Sequence, residues 1–174
     1  MARNKLLVFT IGHSTRKLSE LIKIIEKYGI EEVIDIRTIP KSRSNPQFNE
    51  KRLAIGLKKH GIKYKRMKGL GGLRHPLKDS VNTYWYNASF RGFADYMQTN
   101  EFRGNIVDLI NIAKKRQIVI MCAEAVPWRC HRSLIADALL VRDIDVRDIF
   151  SATNSKEHKI TRSARVVRKN ITYR

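Results

Sequence analysis

The stretch Ile118–Val141, IVIMCAEAVPWRCHRSLIADALLV, constrains this chain more than any other. Ile118-Val119-Ile120-Met121 is continuous apolar sequence rich in β-branched residues, the pattern of a strand buried on both faces in a parallel sheet. Ser133 to Leu140 then keeps apolar residues at helical spacing. Pro127 suits the opening of that helix near Arg129, because a proline in the first turn forfeits no hydrogen bond. Strand, loop and helix in this order put the loop at the carboxyl end of a strand, where open α/β sheets bind ligands. Both cysteines, one of the five histidines, an acid and two arginines fall within the eleven residues from Cys122 to Arg132.

A helix start has free N–H groups and a positive dipole end. Arg129 and Arg132 add charges that the dipole repels, and a bound phosphate or carboxylate relieves that repulsion. Cys122 is the candidate nucleophile, since a helix N-terminus and nearby cations lower a thiol pKa. Known signatures do not complete themselves. The interval from Cys122 to Arg129 exceeds by one residue the five-residue interval of a cysteine phosphatase loop, and it lacks glycines. Cys122-Ala123-Glu124 opens a zinc-deaminase pattern, but no later cysteine pair follows. Cys122, Cys130, His131 and His13 are ligand types for zinc, yet adjacent Cys130 and His131 cannot easily face one ion. No metal and no cofactor is assigned. Two bland alternatives stay open for the cysteines: buried small residues, or a local disulfide.

The remaining chain supplies the sheet that would hold this loop. Lys5 to Thr10 predicts a first strand, Gly12-His13-Ser14 a tight turn, and Leu18, Leu21, Ile22 and Ile25 a helix capped by Gly29. Val33-Ile34-Asp35-Ile36 predicts a second strand, so the unit is βαβ with a parallel pairing. Asp35 and Arg37 share one side of that strand end. They are either ligand-facing or an internal ion pair. Glu50 to Lys59 predicts a helix ended by His60-Gly61, and Ile62 to Met67 a third strand whose charged face suits a sheet edge. Gly69 to Pro76 is glycine-rich without a Walker or dinucleotide pattern. Tyr84-Trp85-Tyr86 is a stacking platform or, preferably, an apolar plug under a loop. Helices follow over 90–99 and 101–115, then the fourth strand, its helix, and a fifth strand over 145–150.

These elements predict an α/β, three-layer open sandwich around a mostly parallel five-stranded sheet, with suggested order 3-2-1-4-5. Residues 1–154 form a single α/β domain and residues 155–174 a basic C-terminal tail outside the core. No run is long enough for a signal peptide or membrane span, and two grouped cysteines suit a cytoplasmic protein. The net charge of +19 favours polyanionic partners, a nucleotide or nucleic acid, over a membrane. Cations cluster: twelve against one acid from Arg37 to Arg74, and seven against one acid from Ser155 to Arg174. Oligomeric state is not legible.

Four motifs carry a resemblance. Thr10-Ile11-Gly12-His13-Ser14, then Val33-Ile34-Asp35-Ile36-Arg37 with Pro40 and Ser42, then Leu70-Gly71-Gly72, then Cys122-Ala123-Glu124 with Cys130-His131-Arg132 resemble the domain-of-unknown-function family 488, over residues 7 to 150. That resemblance implies an α/β fold and a shared motif surface; it implies no reaction and no substrate. By topology the motif loops meet along one rim, with strands one and four side by side.

Two main readings of function follow. The first is an enzyme binding a phosphate-bearing substrate, a nucleotide or nucleic acid, at the strand-end rim. Its candidate catalytic residues are Cys122, His13 and Glu124, with His13 as general acid or base oriented by Glu124 or Asp35. Its candidate anion-binding residues are Arg37, Arg129, Arg132, Ser14, Asp35 and His131. The alternative is a non-enzymatic nucleic-acid-binding protein using the Arg37–Arg74 surface and the basic tail. A small-metabolite binder whose charge reflects only its host is a third.

Overall fold

The computed structural model describes residues 4–174. In chain order its elements are β1 (Leu7–Gly12), α1 (Leu18–Lys27), β2 (Glu32–Asp35), α2 (Glu50–Lys59), β3 (Lys63–Arg66), α3 (Ala88–Tyr96), α4 (Asn100–Ala113), β4 (Ile118–Cys122), α5 (Arg132–Leu140), β5 (Asp145–Ser151), β6 (Asn154–Glu157), β7 (Ala164–Val167) and β8 (Asn170–Tyr173). The main sheet has six strands in the order β3-β2-β4-β1-β5-β6. All its pairings are parallel except β5 with β6.

Successive side chains of a strand point to opposite faces, so a strand covered on both sides needs no polar residue. Every residue of β4 is buried. Val119 and Met121 pack under Leu21, Ile22, Ile25, Leu53 and Leu57 of α1 and α2. Ile118, Ile120 and Cys122 face Phe93, Phe102, Leu109, Leu134 and Leu139 of α3, α4 and α5. The result is the three-layer α/β arrangement that the periodicity predicts. β3 alternates exposed and half-buried residues and lies at the sheet edge, as its charged face requires. Among the described residues no helix is long and apolar enough to cross a membrane.

Two expectations need correction. The sheet order differs from 3-2-1-4-5: β4 lies between β2 and β1, and a sixth strand is added. The reason is burial, because the chain's most continuous apolar strand takes the centre, where both neighbours and both helical layers cover it. The crossover through α1 therefore steps over β4. The inferred contact of strands one and four stands, with Gly12 opposite Cys122.

The second correction concerns residues 155–174, expected as a tail outside the core. β6 extends the main sheet and β7 pairs with β8. Tyr173 is fully buried and Ile171 nearly so. Tyr173 donates its hydroxyl to Asp137 at 2.9 Å and its N–H to Asn82 Oδ1 at 2.9 Å. Ile171 and Tyr173, with His158 and Ser163 also buried, dock a mostly polar segment.

Candidate functional site

The carboxyl ends of β1, β2 and β4 meet at one cavity of about 730 Å³, whose wall includes His13, Ser14, Arg37, Cys122, Glu124, Arg129 and His131. Pairing continues past the strand ends: the His13 N–H donates to the Cys122 carbonyl and the Ser14 N–H to the Ala123 carbonyl, each at 2.9 Å. Gly12 is required there, because a Cβ at this position would overlap the Glu124 carbonyl. Ser14 takes a left-handed conformation with φ of 51°, which turns the chain away from the strand at some conformational cost.

Arg132 lies behind the cavity wall rather than in it. The sequence places it at the beginning of a helix, facing an anion; the structure turns it inward with no exposed surface. One guanidinium nitrogen donates to the Cys122 Sγ at 2.8 Å and to the Glu124 carbonyl at 2.5 Å, and the other terminal nitrogen to the Ala125 carbonyl at 3.1 Å. No carboxylate pairs with it among the described residues. A buried guanidinium cannot shed its proton and needs a compensating anion. Among the hydrogen-bond partners of the guanidinium, the Cys122 sulfur is the one that can ionise. Burial opposes ionisation of Cys122, but a hydrogen bond from Cys130 and the charge of Arg132 bring its pKa down to about 7. Cys130 is the complement: hydrogen bonding to Cys122, then burial, raise its pKa well above the usual thiol range. The two Sγ atoms are 2.6 Å apart, and both cysteines are free.

α5 begins at Arg132, later than expected, and a separate 3-10 turn spans Pro127–Arg129. That turn already uses the Cys130 N–H, which donates to the Pro127 carbonyl at 3.0 Å. The Arg132 N–H points to the Cys130 Sγ at 3.4 Å. The helix start is thus largely satisfied within the chain, and it serves sulfur.

The pair Asp35–Arg37 combines both readings open to it. Arg37 donates through Nε to Asp35 Oδ1 at 2.9 Å and through a terminal nitrogen to Oδ2 at 2.6 Å, and it also reaches the Phe48 carbonyl at 2.8 Å. Tyr64 adds its hydroxyl to Asp35 at 2.7 Å. Asp35 is fully buried and not on the cavity wall, whereas Arg37 is.

His13 is not oriented by Glu124 or Asp35. Its Nδ1 donates to the Ser14 carbonyl at 2.8 Å, so Nε2 accepts from Arg37 at 3.3 Å. The ring stacks on Phe48 at 4.2 Å between centroids. Burial lowers its pKa to about 4, so the imidazole is neutral at pH 7. His131 is likewise lowered to about 4 by burial, and its Nε2 donates to the Leu70 carbonyl at 2.9 Å. Gly72 exists for this packing: a Cβ there would strike the His131 ring. The glycine-rich loop thus seats a histidine. Glu124 is exposed on the wall, as are Arg129 and Lys41. None of these three side chains makes an ion pair among the described residues.

Sequence reasoning missed three features. Phe48 and Tyr64 frame the Arg37 pair, and only their proximity in space marks them. A second cavity of about 790 Å³ lies on the other side of the Pro127–Arg129 turn, walled by Tyr84, Trp85, Trp128, Phe150 and Lys156. On its wall His158 bridges Asp148 at 2.9 Å and Asp137 at 3.0 Å. Burial disfavours the imidazolium, but hydrogen bonds and charge from both acids overcome this and raise its pKa to about 9. Among the described residues, no group of three or more His, Cys, Asp or Glu side chains is gathered to hold a metal ion.

A family model described as "Domain of unknown function DUF488" matches residues 17–139. The matched span covers β2, β4 and the whole Cys122–Arg132 segment, and leaves the Gly12–Ser14 turn outside. No curated protein and no solved structure matches the chain.

Proposed function

The chain belongs to the DUF488 family, and from there we propose that it is a cysteine-dependent enzyme acting on a phosphate-bearing nucleotide or nucleic acid in the strand-end cavity. The observation that carries this reading is the Cys122 sulfur, held against a buried guanidinium at the wall of a cavity. A thiolate at neutral pH is a strong nucleophile. Arg129 and Lys41, exposed on the same wall, are the cations left to bind anionic oxygens, since Arg37 is neutralised by Asp35 and Arg132 by Cys122. Glu124 is the group left to move a proton, because the His13 imidazole is neutral and its Nε2 is occupied by Arg37. His13 and Arg37 hold the wall in place.

A second reading, non-enzymatic binding of single-stranded nucleic acid, is favoured by one feature. Trp128 and Arg129 are consecutive residues of one turn, and they face the aromatic-walled cavity and the strand-end cavity respectively. A base stacked on the first and a phosphate beside the second fit one nucleotide repeat.

The test is conversion of nucleoside phosphates and short single-stranded oligonucleotides by the full chain, compared with Cys122→Asp. Aspartate keeps an anion facing Arg132 but removes the sulfur nucleophile. The expected result is loss of conversion with retained binding, and about tenfold or more weaker binding for Arg129→Ala. Conversion undiminished in Cys122→Asp overturns the enzymatic role of the thiol. Binding without conversion in the unmodified protein favours the second reading.

A further inference from the structure

We propose that Cys122 and Cys130 are a redox modification site, joined reversibly into an intramolecular disulfide by small hydroperoxides entering the strand-end cavity. Three observations carry it. The sulfurs face each other at 2.6 Å. Both line the cavity, which gives a small oxidant a path to sulfurs that are otherwise almost covered. Arg132 touches the Cys122 Sγ through its charged side chain and Cys130 only through its backbone N–H, an asymmetry that favours the anion at Cys122 and the proton at Cys130. A low-pKa thiolate beside a resolving thiol is the arrangement that peroxides oxidise selectively. Two inert core cysteines would give a fully buried guanidinium nothing to neutralise it.

The chemistry balances. The Cys122 thiolate attacks the terminal oxygen of ROOH. The O–O bond breaks and RO⁻ leaves, taking a proton from water as ROH. Cys122 is then a sulfenic acid. Cys130 loses its proton to the hydroxide so formed, and its sulfur attacks the Cys122 sulfur. The S–S bond forms, the S–O bond breaks, and the hydroxyl leaves as hydroxide that the medium reprotonates. Overall two thiols and ROOH become a disulfide, ROH and water, with two electrons passing from sulfur to peroxide.

Oxidation also removes the anion that neutralises Arg132. The disulfide form therefore buries an unpaired charge. Its disulfide is readily reduced, and the oxidised protein melts below the reduced one, the reverse of a structural disulfide. Oxidation also withdraws the sulfur on which the proposed activity depends, but the inference does not rest on that activity, because thiols are counted directly.

The experiment treats the intact protein with stoichiometric hydrogen peroxide and follows intact mass, thiols titratable by N-ethylmaleimide after denaturation, and melting temperature. The expected result is loss of two hydrogen atoms in mass, a fall from two titratable thiols to none, a lower melting temperature, and recovery of all three with dithiothreitol. Cys130→Ser is expected to stop at a sulfenic acid that dimedone traps at Cys122. Cys122→Asp, which keeps the anion beside Arg132, is expected to leave Cys130 unoxidised at the same dose. Two titratable thiols after treatment, a disulfide-linked dimer, or an oxidised form that melts higher would each overturn the proposal. Because no substrate enters the assay, these outcomes are separable from success or failure of the enzymatic reading.

Discussion

Cys122 and Arg132 neutralise each other, but they do not fail symmetrically when separated. A guanidinium holds its proton under all ordinary conditions, whereas a thiolate left alone takes one up and becomes a small apolar group. Cys122→Ser therefore strands a buried cation and is expected to cost about 3–5 kcal/mol, the scale for a buried pair that has lost one member. Cys122→Asp is expected to recover much of that loss. Arg132→Met is expected to be milder than Cys122→Ser, with its Cys122 alkylated only as the pH approaches the ordinary thiol value of 9.0 rather than about 7. Urea denaturation and the pH profile of iodoacetamide labelling measure both. Residue types and grouping were legible here: Cys122, Arg37 and His13 sit at one cavity as their positions after strands imply. Side-chain direction was not. Arg132 reads as a surface cation at a helix start until the packing of α5 against β4 turns it inward.

At the scale of elements, helices and central strands were readable because each carries many apolar residues at one period. Short polar strands carry no such signal. β8 is Asn-Ile-Thr-Tyr, and only Ile171 and Tyr173 alternate in it. Yet its Tyr84, Asn82 and Gln98 contacts tie the chain end to the segment before α3 and to the residues just after it. Tyr173→Ala is expected to lower stability by about 3–5 kcal/mol, the scale for truncating a buried aromatic, measured by thermal or chemical denaturation. A change below 1 kcal/mol would show that the hairpin is only loosely held. Strand order was misread for a related reason. Crossover rules leave both neighbours of β1 open, and the choice goes to whichever strand needs burial most.

For the molecule as a whole, the histidines bracket a stability optimum near neutral pH. His158 has a folded pKa of about 9, above the ordinary histidine value of 6.5. Its contribution is complete below pH 6.5, and is lost as the pH rises through 9; its size is on the order of 3 kcal/mol. His13 and His131 have folded pKa values of about 4, below 6.5. Burying them neutral is favourable above pH 6.5, and stability is lost as the pH falls toward 4. The melting temperature is expected to peak between these limits. His158→Gln is expected to flatten the alkaline limb alone; an unchanged alkaline limb would show that the Asp137–His158–Asp148 bridge does not control it. The charge of +19 is spread over a surface that includes the docked C-terminal strands, so the basic end of the chain is presented at fixed positions on the fold.

The chain contains two tryptophans, and Trp85 and Trp128 both wall the second cavity. Trp128 is largely exposed, whereas Trp85 is packed against Phe90 and Tyr173. All indole emission of this protein therefore comes from one place, with a red-shifted and a blue-shifted source side by side. A stacked aromatic guest dims the red component first, a phosphate confined to the strand-end cavity leaves both unchanged, and undocking of the C-terminal hairpin shifts the blue one. The protein carries its own optical gauge of which cavity is filled.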